Sequence, residues 1–352
     1  MKILFLNGQA FLPQLTGGIE TSTLDLCRRL KSQGHDPVVL CPLIAGDFLW
    51  LKNRLYSKLS GTLCPRDSAY DLRVYRGWNL EGGLAEVLAK ERPDVVVAQG
   101  ALYNSYELAA ASRDLGYRTF CYVHDLSVAL SGHPLPDMHG ISWLANSAFT
   151  ARTLRSVRAI ESRVVPPLIE SSSYRVTAER RAVTVVNPRP IKGGDIACAI
   201  AQLCPDIPFV FIQAWTTDPE VVALKTAAEH LPNVTWLAVQ SDMRPLYRSS
   251  RVVLAPSRCD ETWGRVITEA QFSGIPALAS DRGALPDTVG PGGMLLSPDS
   301  PASEWAACLR RFWDDEVLYR QLADAALQFS QRDEIEPDRV ARDFIDALSE
   351  TA

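Results

Sequence analysis

The chain has 352 residues, of which 47% are hydrophobic, and it carries a formal net charge of −5 at pH 7. This length exceeds the size at which a single hydrophobic core usually stops growing, so two domains of ordinary size are expected. The negative charge and the lack of any Lys/Arg tract argue against a surface that follows nucleic-acid phosphates, so we expect no nucleic-acid partner.

Short apolar runs alternate with segments of helical period through the first half of the chain. The helical segments lie near 18–33, 83–92, 103–115 and 147–157. This alternation is typical of a parallel sheet covered by helices on both faces. The runs predicted as strands are KILFL (2–6), PVVLC (37–41), DVVVA (94–98), TFCYV (119–123) and ISWLAN (141–146).

The alternation stops at 164–182, where two prolines and a serine cluster favour neither strand nor helix, and this predicts a linker. We therefore predict the α/β class, with two Rossmann-like, doubly wound parallel-sheet domains at 1–166 and 167–330. The final segment, 331–352, predicts an amphipathic helix that packs back on the first domain. The second set of strands is VTVVN (183–187), FVFIQ (209–213), VTWLA (234–238), VVLAP (252–256), PALAS (276–280) and MLLSP (294–298).

The eight cysteines form no C-x-x-C pair and have no neighbouring His cluster, which argues against a zinc site and a redox motif. They are typical of small buried side chains in a reducing compartment. The N-terminal MKILFLNG is too short for a signal peptide, and no window has the apolar length of a membrane span. We therefore expect a cytoplasmic protein.

The stretch DETWGRVITEAQFSGIPALAS (260–280) follows the predicted strand VVLAP, and ligands of open parallel sheets bind at the carboxyl ends of strands. Glu261 precedes a predicted helix, and Glu269 lies two turns inside it. At about 100° per residue, an eight-residue step brings both side chains within about 80° on a helical wheel. Both are then expected to reach one elongated ligand.

The first turn of this helix contains the amides of Gly264, Arg265 and Val266, where intrahelical partners are missing and an anion is favoured. Gly264 also leaves room for a phosphate. The residues therefore predict a sugar nucleotide, with its diphosphate at the helix and its hydroxyls on Glu261 and Glu269. The alternative at this point is that Glu261 only complements the helix dipole and Glu269 is solvated.

The same stretch resembles the E-x7-E signature of family 4 of the retaining GT-B glycosyltransferases, the group 1 class. The resemblance implies the GT-B fold, in which the two domains face each other across a cleft. It also implies that Glu261 faces the donor sugar and that Glu269 binds the nucleotide ribose. Trp263 stands where the family usually has Phe, so the nucleotide pocket is expected to have an unusual shape.

Two segments of the first half are similar to the same family. FLPQLTGGIETSTLDLCRRLKSQGHDPVVL places Gly17 and Gly18 where a glycine pair lies against the donor phosphate and the acceptor. CYVHDLSV places His124 beside the donor sugar and the anomeric carbon, with Asp125 behind it. Without the resemblance, an ordinary glycine turn and a structural histidine remain the alternatives.

VTVVNPRPIKGGDIACAIAQL is similar to the family's basic loop, which implies that Lys192 neutralises the diphosphate as it leaves. Asn187 stands where many members carry arginine, and Arg189 either replaces that arginine or points to solvent. Plain surface charges are the alternative for both basic residues. QAWTT (213–217) replaces a glycine-rich turn, and GALPDTV (283–289) keeps a family pattern.

The chain contains no D-x-D, no P-loop and no G-x-G-x-x-G motif. We therefore expect neither a metal nor a cofactor beyond the nucleoside-diphosphate sugar itself. The charge of the diphosphate is then balanced by Lys192, by Arg189 and by helix N-termini.

Residues 47–59, DFLWLKNRLYSKL, have helical period and combine apolar positions 48, 51, 55 and 59 with Lys52, Arg54 and Lys58. Three hypotheses stay open: peripheral contact with a membrane, a wall of the acceptor site, or a helix packed on its own domain. The first half of the chain, which contains this segment, has a positive net charge. Residues 1–165 carry 18 Lys and Arg against 15 Asp and Glu, a net charge of +3, and the rest carries 18 against 26, a net of −8.

The resemblance implies a retaining, metal-independent hexosyltransferase that moves a sugar from a nucleoside diphosphate to an acceptor hydroxyl. The acceptor is a glycan, a lipid-linked sugar or a small molecule. Two alternatives remain: a sugar-nucleotide 2-epimerase, which needs no acceptor, and a two-domain binding protein that performs no chemistry.

Overall fold

The computed structural model describes residues 1–100, 102–213 and 218–350. The chain divides into two compact units, one formed by Met1–Leu168 with Pro337–Ala352 and the other by Ile169–Glu336. These boundaries lie two and six residues beyond the predicted ends at 166 and 330. The first shift arises because Leu168 still packs in the core of the first unit. The second arises because Ile335 packs on Ile169 in the second unit.

The first unit contains an eight-stranded sheet in the order β3-β4-β2-β1-β5-β6-β7-β8. Its pairs are parallel apart from β3 with β4. The strands are β1 (Lys2–Asn7), β2 (Asp36–Pro42), β3 (Arg66–Asp67), β4 (Arg73–Gly77), β5 (Val95–Gln99), β6 (Thr119–Val123), β7 (Ser142–Ala145) and β8 (Arg163–Val164).

The helices of the first unit begin where capping residues satisfy their free amides. Asp47, Asn79 and Ser147 each accept a hydrogen bond from the amide three residues later. The helices are α1 (Gly18–Ser32), α2 (Phe48–Ser60), α3 (Leu80–Glu91), α4 (Asn104–Asp114), α5 (Ser127–Leu130) and α6 (Ala148–Arg158).

The second unit contains a six-stranded, wholly parallel sheet in the order β11-β10-β9-β12-β13-β14. Its strands are β9 (Ala182–Val186), β10 (Phe209–Ile212), β11 (Val234–Leu237), β12 (Ser250–Ala255), β13 (Ala277–Ser280) and β14 (Gly293–Leu296). Its helices are α7 (Gly194–Leu203), α8 (Pro219–Glu229), α9 (Arg244–Ser249), α10 (Arg265–Gln271), α11 (Leu285–Val289), α12 (Ala302–Asp314) and α13 (Glu316–Phe329).

The last helix, α14 (Pro337–Ser349), returns to the first unit. Phe344 is fully buried, and its ring stacks on Phe5 of the central strand with 5.8 Å between centroids. It also contacts the ring of Tyr122 in β6. The helix therefore completes the core on one face of the first sheet.

The predicted α/β class with two parallel sheets is confirmed. The short strands β3, β4 and β8 were not predicted. In β4 the sequence RVYRG shows no apolar run, because arginines interrupt it. One of them, Arg76, is nevertheless fully buried. Its charge is tolerated there because Asp67 accepts a hydrogen bond from its Nε at 2.5 Å.

Two further observations concern the cysteines and the lengths of the helices. All eight cysteines are free, and five of them are buried. In the described part of the chain, no helix combines the length and apolar character needed to cross a bilayer.

The apolar stripe of helix α2 is largely exposed, so the helix does not pack on its own domain through that stripe. Its four stripe residues are 57% to 81% exposed: Phe48, Leu51, Leu55 and Leu59. The side chain of this helix that is buried is the polar Asn53, at 3% exposure.

Candidate functional site

The second unit has its topological switch point at β9, which lies between β10 and β12. In open parallel sheets, ligands bind where the loops leave the carboxyl ends of the strands at such a point. Here backbone hydrogen bonds connect the loop after β9 with the loop after β12. The amides of Arg258 and Cys259 donate to the carbonyl of Ile191 at 3.0 and 3.2 Å.

Lys192 and Glu261 meet at this junction. The ammonium of Lys192 lies 2.6 Å from Oε1 of Glu261, and the hydroxyl of Ser257 donates to the same oxygen at 2.9 Å. The two charged side chains are 29% and 22% exposed, so a ligand can reach them. Burial is the largest single influence and would lower the pKa of Lys192, but the charge of Glu261, the interaction with Cys259 and the hydrogen bonds to both together raise that pKa. The ammonium therefore stays charged.

Two glycines allow these loops to pack closely. Gly193 has φ +74°, and a Cβ atom there would lie 1.9 Å from the carbonyl oxygen of Pro256. Gly283 has φ +62°, and its Cβ would lie 2.3 Å from the carbonyl oxygen of Glu261. Any larger residue would force the loops apart. The GALPDTV pattern contains Gly283, but its contact with the Glu261 backbone has no local signal in the sequence.

Helix α10 begins at Arg265, so Glu261 lies in the preceding loop. Glu261 thus precedes the helix, as the sequence predicted, and the helical-wheel angle does not apply to it because it is not a helical residue. What brings Glu261 to the switch point is the packing of its loop on Ile191 and Gly283. Glu269 alone belongs to the helix.

Glu269 is buried, with 5% exposure, which excludes the alternative of a solvated carboxylate. Its Oε1 accepts from Nε of Arg265 at 2.7 Å, and its Oε2 accepts from the hydroxyl of Tyr247 at 2.6 Å. Arg265 also donates to the hydroxyl of Tyr174 at 2.8 Å. The carboxylate is thus held in one orientation. Sequence reasoning missed Tyr247, which reads as an ordinary buried aromatic residue.

The residues between the two glutamates form the entrance to α10. Gly264 has φ +87°, which favours glycine over any residue with a side chain. Trp263 donates from its indole nitrogen to the hydroxyl of Thr268 at 3.1 Å. Val266 is partly buried against the core beneath the helix. By their position, the amides of Arg265 and Val266 belong to the first helical turn, where intrahelical acceptors are missing.

Arg189 extends from the loop after β9 towards the start of α8. Its Nη2 lies 2.9 Å from Oδ2 of Asp218. Arg189 is therefore ion-paired inside the second unit, with its side chain 36% exposed. Apart from Gln213, the QAWTT segment lies outside the described residues.

In the first unit, Gly17 and Gly18 open helix α1. A Cβ atom on Gly18 would meet no atom within 4 Å, so this glycine is not required by packing. The carbonyl of Gly17 accepts from the Thr21 hydroxyl at 2.8 Å. The first turn of α1 is therefore open on the side of Gly18, as a site for a close backbone approach requires.

The loop that leads to this glycine pair is held by a buried cation that sequence reasoning missed. Arg76 donates to the carbonyl oxygens of Phe11 and Leu12 at 3.2 and 2.5 Å. The one signal for it in the sequence is an arginine inside a short segment that otherwise fits a strand. Glu20, in the first turn of α1, is also buried, and burial raises its pKa to about 6 despite a hydrogen bond from Gln9.

His124 directly follows β6 and is 8% exposed. Its ring contacts that of Tyr122, with 4.0 Å between centroids. Burial lowers the pKa of His124 to about 3, so the imidazole is neutral at physiological pH. Asp125 accepts a hydrogen bond from the amide of Ser127, the first residue of α5, at 2.7 Å.

The second unit therefore brings Lys192 together with Glu261, and Arg265 together with Glu269. The first unit holds Gly17, Gly18 and His124 at the ends of its own strands and helices. Across residues 1–100, 102–213 and 218–350, no three or more His, Cys, Asp or Glu side chains are grouped to hold a metal ion.

The neutral His124 predicts a loss of stability in acid. An unfolded histidine takes up a proton below about pH 6.5, whereas native His124 does so only near pH 3. The free energy of unfolding is thus undiminished above pH 6.5 and falls towards pH 3, by at most about 1.4 kcal/mol per pH unit. His124→Gln should reduce this slope in urea titrations at several pH values.

The matched control is His230→Gln, which changes an exposed histidine after α8 and should keep the wild-type slope. Glu20 acts in the opposite direction, because its stabilising contribution is lost as pH rises from 4.5 through 6. Since Glu20 is present in every variant, its contribution cancels. An unchanged slope in His124→Gln would contradict the buried, neutral imidazole.

Two family models match the chain in separate regions. The model described as Glycosyltransferase Family 4 matches residues 16–172. The model described as Glycosyl transferases group 1 matches residues 197–315. The first match contains the glycine pair and His124, and the second contains both glutamates. The two models thus agree with the two-unit architecture.

Among related sequences, the D-inositol 3-phosphate glycosyltransferase of Mycolicibacterium vanbaalenii is 30% identical over 258 residues, which cover 60% of this chain and 57% of that protein. The protein of the same name from Corynebacterium kroppenstedtii is 38% identical over 107 residues, which cover 28% of this chain and 23% of that protein. The chain thus spans between about a quarter and somewhat more than half of the length of these relatives.

Among solved structures, HepE of Anabaena, crystallised with UDP and glucose, has a TM-score of 0.76 to this chain. The match covers 100% of both chains at 21% sequence identity, so it establishes the fold. The two parallel sheets, the matching structure and the two family models lead to one assignment. The chain belongs to the family 4, or group 1, glycosyltransferases and has their GT-B fold.

Proposed function

We propose that this protein transfers a hexose from a nucleoside-diphosphate sugar to an acceptor hydroxyl, with retention of configuration and without a metal ion. The observation that carries the proposal is the pair formed by Lys192 and Glu261, 2.6 Å apart at the switch point of the second sheet. The pair places the positive charge of Lys192 beside the carboxylate of Glu261, which can accept hydrogen bonds from sugar hydroxyls.

Lys192 stabilises the diphosphate as it leaves. When the bond between the anomeric carbon and the phosphate oxygen breaks, negative charge grows on that oxygen. A cation already held in place lowers this barrier because it does not need to reorganise during the reaction. Glu261 holds Lys192 in this position and accepts hydrogen bonds from the sugar hydroxyls.

Glu269 binds the ribose in this proposal. Arg265 and Tyr247 orient the Glu269 carboxylate, and an ionised carboxylate is a strong acceptor for ribose hydroxyls. The first-turn amides of Arg265 and Val266 then face the diphosphate. Trp263 and Arg189 border the nucleotide in the same loops.

Retention is proposed from the resemblance to the retaining family, and it requires no strong base among the proposed residues. His124 is neutral, and a group with a pKa near 3 accepts protons weakly. In this proposal the acceptor oxygen bonds to the anomeric carbon on the face that the phosphate leaves, and the departing phosphate oxygen takes the acceptor's proton. Gly17 and Gly18 leave the first turn of α1 open to a close backbone approach.

UDP-glucose is the first donor to test, because HepE, which shares the fold, was crystallised with it. The D-inositol 3-phosphate named for the relatives is one acceptor to include beside glycans and lipid-linked sugars. We place the reaction in the cytoplasm, because eight free cysteines are compatible with a reducing compartment.

Lys192→Met should lower transfer by roughly a hundredfold to a thousandfold, because it removes the charge that faces the leaving diphosphate. The measurement is the release of UDP from UDP-glucose in the presence of a panel of hydroxyl acceptors. Lys225→Met is the matched control, since Lys225 is 44% exposed on α8 and pairs loosely with Glu229 at 3.9 Å. Equal activity of Lys192→Met and the wild type would reject the site.

Transfer should continue undiminished in EDTA, because Lys192 and helix amides supply the positive charge that a divalent cation would otherwise provide. The assay is the same UDP release, with and without chelator. Loss of activity in EDTA and its recovery with added Mg²⁺ or Mn²⁺ would overturn the metal-independent mechanism.

Glu269→Gln should weaken UDP binding at least tenfold in calorimetry, because it removes the ionised acceptor of the ribose hydroxyls. The same change weakens the internal bonds to Arg265 and Tyr247. Tyr247→Phe therefore serves as the control, since it removes one internal bond to Glu269 and leaves the carboxylate. Equal losses in both variants would assign Glu269 a purely structural role.

A further inference from the structure

Helix α2 turns its apolar side outwards. Five large apolar side chains of this 13-residue helix are more than half exposed, and no other described helix exposes more than two such side chains. The five are Phe48 (79%), Leu51 (57%), Leu55 (59%), Tyr56 (57%) and Leu59 (81%). A surface helix of a soluble domain normally buries its apolar stripe, so this arrangement calls for a partner.

The two faces of the helix are clearly separated. At about 100° per residue, Phe48, Leu51, Leu55 and Leu59 fall within an arc of about 80°. The buried Asn53 and the half-buried Ser57 lie on the opposite side. The helix therefore attaches to the first unit by its polar side, and the apolar stripe faces away.

Positive charge accompanies the apolar stripe. Lys52, Arg54 and Lys58 lie on α2, and the helix contains no Asp or Glu. No ion pair joins these three residues to an acidic side chain in the described part of the chain. Arg54 contacts the ring of Trp50, with 5.0 Å to its centroid. The two lysines are exposed at the borders of the stripe.

The helix is also fixed at its N-terminal end, so the stripe is presented in a defined orientation. The side chain of Gln14 donates to the carbonyl of Ile44 at 2.8 Å and to Oδ2 of Asp47 at 2.9 Å. The amide of Ile44 donates back to Gln14 at 3.1 Å. Asp47 in turn caps α2 through the amide of Trp50 at 2.7 Å.

We propose that α2 is an interfacial helix that binds the surface of an anionic lipid bilayer. The apolar stripe enters the boundary between headgroups and acyl chains, and the lysines at its borders contact the phosphates. Such binding scales with the buried apolar surface and with the attraction of basic residues to anionic lipids. The positive charge favours an anionic bilayer over a neutral apolar protein surface as the partner. The proposal does not depend on the proposed sugar transfer.

The test is cosedimentation of the full chain with two kinds of vesicle, one of phosphatidylcholine alone and one with a third of phosphatidylglycerol. The wild type should bind the anionic vesicles at least tenfold more tightly, and added salt should weaken this binding. Equal or undetectable binding to both would overturn the proposal.

The double variant Leu55→Ser/Leu59→Ser should bind the anionic vesicles at least tenfold more weakly, because it removes two side chains from the stripe. Lys52→Gln/Lys58→Gln should reduce binding to the anionic vesicles roughly tenfold and leave binding to neutral vesicles unchanged. Both changes affect exposed side chains, so the far-ultraviolet circular dichroism and thermal midpoint should match those of the wild type.

The matched control is Val222→Ser/Val317→Ser, which removes two exposed apolar side chains from α8 and α13 in the second unit. It should bind like the wild type, and an equal loss in this control would show that α2 has no special role. Sedimentation velocity without lipid tests a second copy as the partner. A dimer that Leu55→Ser/Leu59→Ser abolishes would overturn the lipid proposal.

Discussion

The contact between Lys192 and Glu261 is the constraint on which the candidate site of the second unit depends. Each side chain is about a quarter exposed, and a pair of this kind contributes roughly 0–1 kcal/mol to stability. The pair is therefore important because it orients the two charged side chains, and not because it adds stability. The pair joins loops that are 69 residues apart, and it forms because Gly193 and Gly283 let those loops pack against neighbouring backbone. The charge is thus positioned by backbone packing before any ligand arrives.

The first unit uses buried polar groups for the same purpose. Arg76 has no exposed surface, and it binds two carbonyls of the loop before the glycine pair as well as Asp67. Removing a partner from such a group is costly, because an uncompensated buried charge remains. The loop is therefore held in one path while Gly18 stays open. Burial at the end of β6 acts on His124 as well, and there it keeps the imidazole neutral.

Helix α2 shows why amphipathic period alone does not reveal the packed face. The period of its apolar residues is that of a helix resting on a core, and three hypotheses were consistent with it. The structure places Asn53 inwards and Phe48 and Leu59 outwards. Neither local propensity nor the hydrophobic pattern contains this information, because both describe the helix and not the surface that it meets.

The sequence by itself determined the α/β class, the succession of the long strands along the chain and the positions of the main helices of the first unit, because apolar runs and helical period are local properties of the chain. It also located Lys192, Glu261 and His124 in the segments that follow strands, and Glu269 in the helix that comes after Glu261. Only the tertiary structure decided their partners. The hydroxyl of Tyr247 donates a hydrogen bond to Glu269, 22 residues later in the chain. Arg76 is buried in a core from which its charge would normally exclude it. Such contacts depend on which distant segments become neighbours, and a pattern within one segment does not specify them.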